Sequence, residues 1–332
     1  MVRVLVAGGA GYIGSHTCKA LARAGHLPIV YDNLHTGHPW AVKWGPLVRG
    51  DINDPVALAT AIREHRPEAI INFAALAYVG ESMLEPTRYY RTNVGGMITL
   101  VEVMQSHGIG SIVFSSSCAT YGIPERLPVV EGTSQRPINP YGRTKLMGEE
   151  ILRDACAAHG LGAISLRYFN AAGADPEREL GEEHDPETHL IPLVLQAAHG
   201  KRPSISVFGT DYGTQDGTCV RDYVHVTDLA TAHVAALSRC VAGTYQAYNL
   251  GAGRGASIAQ IIERARAVTG REIRCVNAPR RAGDPPLLVA DVSAAQKALD
   301  WQPVHSALDE IILSAWTWMT DSRSRAMQAP AR

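Results

Sequence analysis

Charge imbalance, membrane-length apolar runs and closely paired cysteines are all missing from this sequence of 332 residues. Lys and Arg number 31 against 32 Asp and Glu, for a formal net charge of -1. That balance leaves no basic footprint for a nucleic-acid backbone, so an anionic ligand would have to be met by individual arginines. No apolar run reaches the roughly 18 residues that suggest a membrane helix. The opening MVRVLVAGGAGYIG is apolar, but glycines interrupt it too early for a secretion signal. Cys18, Cys118, Cys156, Cys219, Cys240 and Cys275 show no CxxC spacing. They read as free thiols of a reducing compartment, and no metal site is expected. The sequence therefore predicts a cytoplasmic protein that needs neither metal, membrane nor nucleic acid.

What is present is an alternation of short apolar runs with helical periodicity. Strands are predicted at Val2–Ala7, Leu27–Tyr31, Ala69–Asn72, Ser111–Phe114 and Ala163–Arg167. Helices are predicted at Tyr12–Ala24, Pro55–His65, Pro86–His107 and Pro140–His159. This βαβα order predicts an α/β fold, a Rossmann-type doubly wound parallel sheet covered on both faces. After Asn170 a polar stretch rich in Gly and Pro reads as a loop. Helices follow near 190–199, 226–240, 257–268 and 307–319, with a strand at Ile205–Phe208. Tyr248–Leu250 reads as a strand that returns to the first sheet. Residues 1–170, with about 225–252 returning to them, form the expected nucleotide domain. Residues 171–322 form a smaller α/β C-terminal substrate domain, and 323–332 a frayed tail.

Directly after the first strand stand Gly8, Gly11 and Gly14, spaced G-x-x-G-x-x-G, with Tyr12 and Ile13 between the last two. Glycine permits a tight turn, close approach of backbone to pyrophosphate, and close packing of helix on strand. The helix N-terminus then offers free N–H groups and partial positive charge to the phosphates. Asp32 ends the second strand, where a carboxylate accepts a ribose 2′-OH and repels a 2′-phosphate, favouring NAD over NADP. Asp51, in GDI beside Ile52, reads equally as an adenine contact or as a turn and capping Asp.

Tyr141 and Lys145 lie four residues apart near a predicted helix start, which puts both on one face. A free phenol titrates near ~10, and a neighbouring ammonium would favour its phenolate, making a base. Ser115, Ser116 and Ser117 fall at the C-terminal tip of a strand, where ligands collect in open α/β sheets. Ser117 is the expected hydrogen-bond partner of the reacting oxygen.

These residues together resemble the extended short-chain dehydrogenase/reductase family. The finer likeness is to its UDP-sugar 4-epimerase branch. It is carried by VAGGAGYIGSHT, YDNL, FAALAYVGES, NVGGMITL, FSSSCATYG, PYGRTKLMGE, LRYFNAAGADP, THLIPLVL, DGTCVRDYVHVTDLA, YNLGAGRGAS and RRAGDPPLLVAD, over nearly the whole chain. The resemblance implies tightly held NAD and a homodimer. It implies that Tyr141 takes the O4 proton as hydride leaves C4, that the 4-keto sugar turns its other face, and that hydride returns. Lys145 is implied to tune Tyr141 and hold the NAD ribose. Asn33, Phe73, Ala74, Asn93 and Tyr168, with Ala75 and Ser115, are implied as further cofactor contacts. Asn170, His189, Leu190, Val207, Phe208, Arg221, Tyr223, Arg281 and Leu288 are implied around the UDP-sugar, with Asp284 on the uridine ribose. Arginine suits the diphosphate because its planar fork binds phosphate oxygens bidentately.

Three positions depart from some relatives. Ala77 stands where some have Lys, SSSCATYG where some read SSSATVYG, and Leu288 where a bulky Tyr can narrow the sugar pocket. UDP-glucose and UDP-galactose are the expected substrates, with UDP-GlcNAc or UDP-xylose as alternatives. A 4,6-dehydratase of the same family needs an acid pair where Cys118 and Ala119 stand. A non-catalytic NAD sensor would be expected to lose Tyr141 or Lys145, and both are here.

Overall fold

The computed structural model describes residues 1–280 and 285–321. At its centre seven parallel strands run in the order β10 (Tyr245–Leu250), β6 (Gly162–Tyr168), β5 (Ser111–Ser117), β4 (Ala69–Asn72), β1 (Arg3–Ala7), β2 (Leu27–Asp32) and β3 (Leu47–Arg49). The order reverses between β1 and β4, and such a switch opens a crevice beyond the strands' C-terminal ends. β1 shows why the sheet is continuous in sequence and buried on both faces. Val4 and Val6 enter one core cluster while Leu5 and Ala7 enter another, as the two-residue period of a strand requires.

Helices α1 (Tyr12–Arg23), α8 (Val226–Leu237) and α10 (Ser293–Leu299) cover one face. Helices α2 (Pro55–His65), α5 (Gly96–Ser106) and α6 (Pro140–His159) cover the other. α6 begins with Pro140 behind an Asn139 cap, whose Oδ1 accepts from Gly142 N at 2.8 Å. It stops at Gly160 in the left-handed region. That fixed start sets the rotation of Tyr141 and Lys145.

The predicted helix over 86–107 is three pieces: α4 (Pro86–Tyr89), a π-helical turn at Tyr90–Gly95, and α5. The wide turn carries Asn93 inward to the loop after β4. A short helix α3 (Val79–Leu84) and helix α10 were not expected. The tail from 322 onward lies outside the described residues.

The second half builds its own small sheet around β9 (Val220–His225). β7 (Asn170–Ala172) and β13 (Leu287–Leu288) pair with it in parallel, and β11 (Gly255–Ser257) antiparallel. β8 (Ile205–Phe208) pairs with β12 (Cys275–Ala278). Helices α7 (Leu190–Ala198), α9 (Ile258–Thr269) and α11 (Leu308–Thr320) close a third core of Ile191, Val194, Ile261 and Ile312. Among the described residues no helix is long and apolar enough to cross a membrane.

Candidate active site

A cleft of about 1760 Å³ runs from the switch point between β1 and β4 to the small sheet around β9. At one end lies the glycine turn. A Cβ on Gly14 would fall 2.2 Å from Gly8 O, and one on Gly8, at φ +76°, 2.7 Å from Ala74 N. α1 starts at Gly11 without a side-chain cap and without an acidic residue in its first turn. Its N–H groups therefore face the cleft uncovered by any side chain, which suits a pyrophosphate. Gly8, Gly11, Tyr12, Ile13 and Gly14 all line it.

Asp32 lines the same end. Its Oδ2 accepts from Ala10 N at 2.9 Å and its Oδ1 from Leu34 N at 2.8 Å. Burial raises its pKa, and those two N–H bonds oppose the rise. Asp51 makes the turn that was one of its two expected roles, and it also stands on the cleft wall. Its Oδ1 accepts from Asn53 N at 2.8 Å as a turn residue, while its Oδ2 takes Asn33 Nδ2 at 3.0 Å on the cleft wall. Ile52, Phe73, Ala74 and Ala75 complete that wall. Asn93 is 9% exposed, with its amide turned to the loop after β4. Its Oδ1 accepts from Leu76 N at 2.8 Å and its Nδ2 donates to Leu76 O and Thr144 Oγ1, so it shapes the loop from behind.

In the middle of the cleft Tyr141, Lys145, Ser115, Ser117 and Tyr168 converge. Ser117 stands on the cleft wall with Tyr141 and caps a short turn, its Oγ accepting from Ala119 N at 3.1 Å. Ser115 and Tyr168, on the adjacent strands β5 and β6, share a hydrogen bond of 2.5 Å. Lys145 reaches across α6 and donates to Ser115 O at 2.7 Å, with its Nζ 5.8 Å from the Tyr141 ring centre. The expected acidic phenol is not produced by these groups. Burial raises the Tyr141 pKa well above its ordinary value, Tyr168 adds to the rise, and the Ser117 hydroxyl offsets only part of it. Burial also pushes Lys145 down to about 7, against a smaller opposite pull from Glu149. The buried ammonium thus carries less charge near neutrality than an exposed one, and its bond goes to a carbonyl. A cation brought in with a ligand would oppose the rise at Tyr141.

Behind this centre Glu149, wholly buried, accepts from Ser116 Oγ at 2.5 Å and from Arg167 Nε at 2.9 Å and Nη2 at 2.6 Å. Ser116 sits between Ser115 and Ser117, so this buried pair fixes the strand tip.

At the far end stand Asn170, His189, Leu190, Phe208, Arg221, Tyr223 and Leu288. Asn170 Nδ2 donates to Asp222 O at 2.9 Å. Arg221 Nη1 donates to Val220 O at 2.7 Å, and its charge acts on the thiol of Cys118, next to Ser117. Leu288 lies opposite Arg221 in the β9–β13 register, on the cleft wall and 8% exposed. Val207 is 6% exposed. Along β8, Ile205, Ser206 and Phe208 line the cleft, whereas Val207 packs only into the third core. Arg281 and Asp284 lie outside the described residues.

His189 caps α7 and belongs to a group not anticipated from the sequence. Its Nδ1 is 2.9 Å from Glu182 Oε1 and 2.8 Å from Glu187 Oε1. Although burial works against both charges, the pair holds Glu182 low and His189 high. Arg202 was also missed. It lines the cleft, and its buried Nε has no hydrogen-bond partner among the described residues. In sequence it is one of two basic residues in a Gly-Lys-Arg-Pro turn, which reads as solvated surface.

The comparisons with known proteins agree over nearly the full length. The chain is 50% identical over 316 residues to the UDP-glucose 4-epimerase of Rhizobium meliloti strain 1021, covering 95% of this chain and 96% of that protein. It is 49% identical over 320 residues to the UDP-glucose 4-epimerase of Rhizobium leguminosarum bv. trifolii, covering 96% and 98%. The crystal structure of UDP-glucose 4-epimerase from Brucella ovis in complex with NAD superimposes with a TM-score of 0.92 at 53% identity, over 95% of this chain and 98% of that one. Residues 4–251 match the model of one family, and on that match the chain belongs to the NAD dependent epimerase/dehydratase family.

Proposed function

We propose that this protein is an enzyme that binds NAD and reversibly inverts C4 of a UDP-sugar, with UDP-glucose and UDP-galactose as its substrates. The observation that carries the reading is the convergence of Ser117, Tyr141 and Lys145 in mid-cleft, between a glycine turn suited to pyrophosphate and the far wall bearing Arg221. The names of the relatives at about half identity support the choice of sugar.

Residues 1–170, with about 225–252, would hold NAD through the glycine turn, Asp32, Asn33 and the Phe73–Ala75 wall, with Lys145 on the ribose hydroxyls. When bound, NAD supplies a reversible hydride acceptor for C4 and a positively charged ring. Residues 171–322 mainly grip the UDP portion, Arg221 meeting the diphosphate with two parallel donors. Tyr141 Oη takes the proton from O4 and later returns it. Ser117 Oγ holds O4 within reach throughout, and passes a hydrogen bond between O4 and the phenol as the proton moves. The nucleotide must be held firmly and the hexose loosely, so that the oxidised sugar can turn between the two proton transfers. Leu288, smaller than tyrosine, supports a second reading in which an N-acetyl group at C2 also fits.

A homodimer is part of the proposal. Ile98 on α5 and Met147 on α6 are exposed apolar side chains on adjacent helices of the sheet's second face, a surface suited to another copy. Six free cysteines support a cytoplasmic location.

Incubation of the purified protein with UDP-glucose, without added NAD, tests the reading. NMR should show UDP-galactose forming and no net reduced cofactor. Failure to convert UDP-glucose, UDP-GlcNAc or UDP-xylose, even with NAD added, would refute it.

A further inference from the structure

The segment between β7 and α7 runs for 17 residues, 173–189, without regular structure, yet it forms part of the cleft wall. Near its end the side chains of Glu182, His184, Glu187 and His189 turn toward one another. One donor atom from each lies within 4.8 Å of all the others. His184 Nδ1 is 3.4 Å from Glu182 Oε1 and 4.0 Å from Glu187 Oε2. His189 Nδ1 is 2.9 Å and 2.8 Å from the same two carboxylates.

We propose that Glu182, His184, Glu187 and His189 form a four-ligand site for a divalent transition metal of the zinc class, which fastens this loop to the N-terminus of α7. Bonds of about 2.1 Å in a tetrahedron place neighbouring donor atoms about 3.4 Å apart. The four distances above bracket that value. The donor set is two imidazole nitrogens and two carboxylates, which suits zinc and its neighbours rather than magnesium or calcium, whose ligands are oxygens. Charge also fits, since two carboxylates with two neutral imidazoles balance one divalent ion. Both carboxylate side chains are 6% exposed, so water does little to screen them.

A second observation points the same way. His184 Nδ1 is buried and makes no hydrogen bond of good geometry among the described residues, its nearest carboxylate oxygen being Glu182 Oε1 at 3.4 Å. It stands 3.4 Å and 4.0 Å from the two carboxylates. Glu183 Oε2 and Tyr78 Oη are likewise buried and unpartnered nearby, and a cavity of about 170 Å³ lies behind the group, lined by Glu182, Glu183, His184 and Glu187. The site thus has a polar surround with space for water or for a shift of the ligands. With four protein donors and no open position, it is structural in type. Its role does not depend on which sugar the cleft accepts.

The test is metal content. The full chain, purified without an immobilised-metal column, is dialysed against a chelator, given one equivalent of zinc chloride, and passed through gel filtration. Mass spectrometry of metals should find close to one zinc per chain, and zinc should raise Tm. Limited proteolysis within residues 173–189 should slow on loading. Glu187→Gln with His189→Asn should abolish both retention and the Tm response, while retention of NAD reports that the variant is folded. Should that variant fail to fold, the wild-type measurements decide alone. Wild-type protein that keeps no zinc, or a folded variant that keeps as much, overturns the site and leaves an acid–imidazole network only.

Discussion

Replacing Glu149 by Gln should be among the most damaging single changes outside the cleft. Glu149 is 0% exposed and Arg167 3% exposed. The guanidinium makes three bonds of 2.6 to 3.2 Å to this carboxylate. Removing the negative charge leaves the guanidinium buried among Tyr121 Oη, Glu131 O and Gln135, which are neutral acceptors. Breaking a buried pair from one side costs about 3–5 kcal/mol. With an unfolding entropy near 2.1 cal/mol/K per residue over this length, that lowers Tm by about 4–7 °C. Calorimetry on the NAD-loaded protein would measure it. Glu149→Leu combined with Arg167→Met should lose less than either single change, because no buried charge is left alone. Turnover should fall as well, since Ser116 loses its anchor between Ser115 and Ser117. The pH dependence has a definite sign. Burial would raise the Glu149 pKa, but Arg167, Ser116 and Gln135 outweigh it and hold the carboxyl below its ordinary value. Its contribution is therefore complete above the unfolded value of about 4.3 and fades as pH falls through the folded one. Glu149→Gln should flatten that part of the acid limb. A single variant that loses under about 1 kcal/mol, or one no worse than the double, would refute this account of the pair.

Tyr141→Phe and Ser117→Ala should retain NAD while turnover falls by about 10²–10⁴-fold, the ordinary worth of acid–base help; wild-type turnover in Tyr141→Phe would remove that residue from the mechanism. Gly14→Ala puts a methyl 2.2 Å from Gly8 O, so α1 must retreat. It should cost about 1–3 kcal/mol and release NAD on gel filtration, which the absorbance ratio at two wavelengths reports. Leu288→Tyr should cut conversion of UDP-GlcNAc far more than that of UDP-glucose; equal losses would show that position 288 does not gate the C2 substituent.

The nucleotide half was readable in order. Its strands are continuous apolar runs because both faces of the sheet are covered, and its glycine turn and Tyr141–Lys145 pair are local patterns of fixed spacing. The uninterrupted helix over 86–107 was not correct, because side-chain bonds from Asn93 to a loop 17 residues earlier accompany a π turn that periodicity does not register. Val207 and Phe208 are neighbours in sequence, and only the packing of β8 on the third core decided which one faces the cleft.

By itself, the sequence determined whatever depends on near neighbours along the chain: parallel strands and covering helices, the phosphate-sized turn, and two functional side chains one helical turn apart. Tertiary structure alone decided the protonation of those groups, since burial by distant strands drives Tyr141 up and Lys145 down. It also decided which residues stand side by side on the cleft wall. Arg221 and Leu288 become opposite through a strand pairing that spans 67 positions, and no local periodicity encodes a contact of that range.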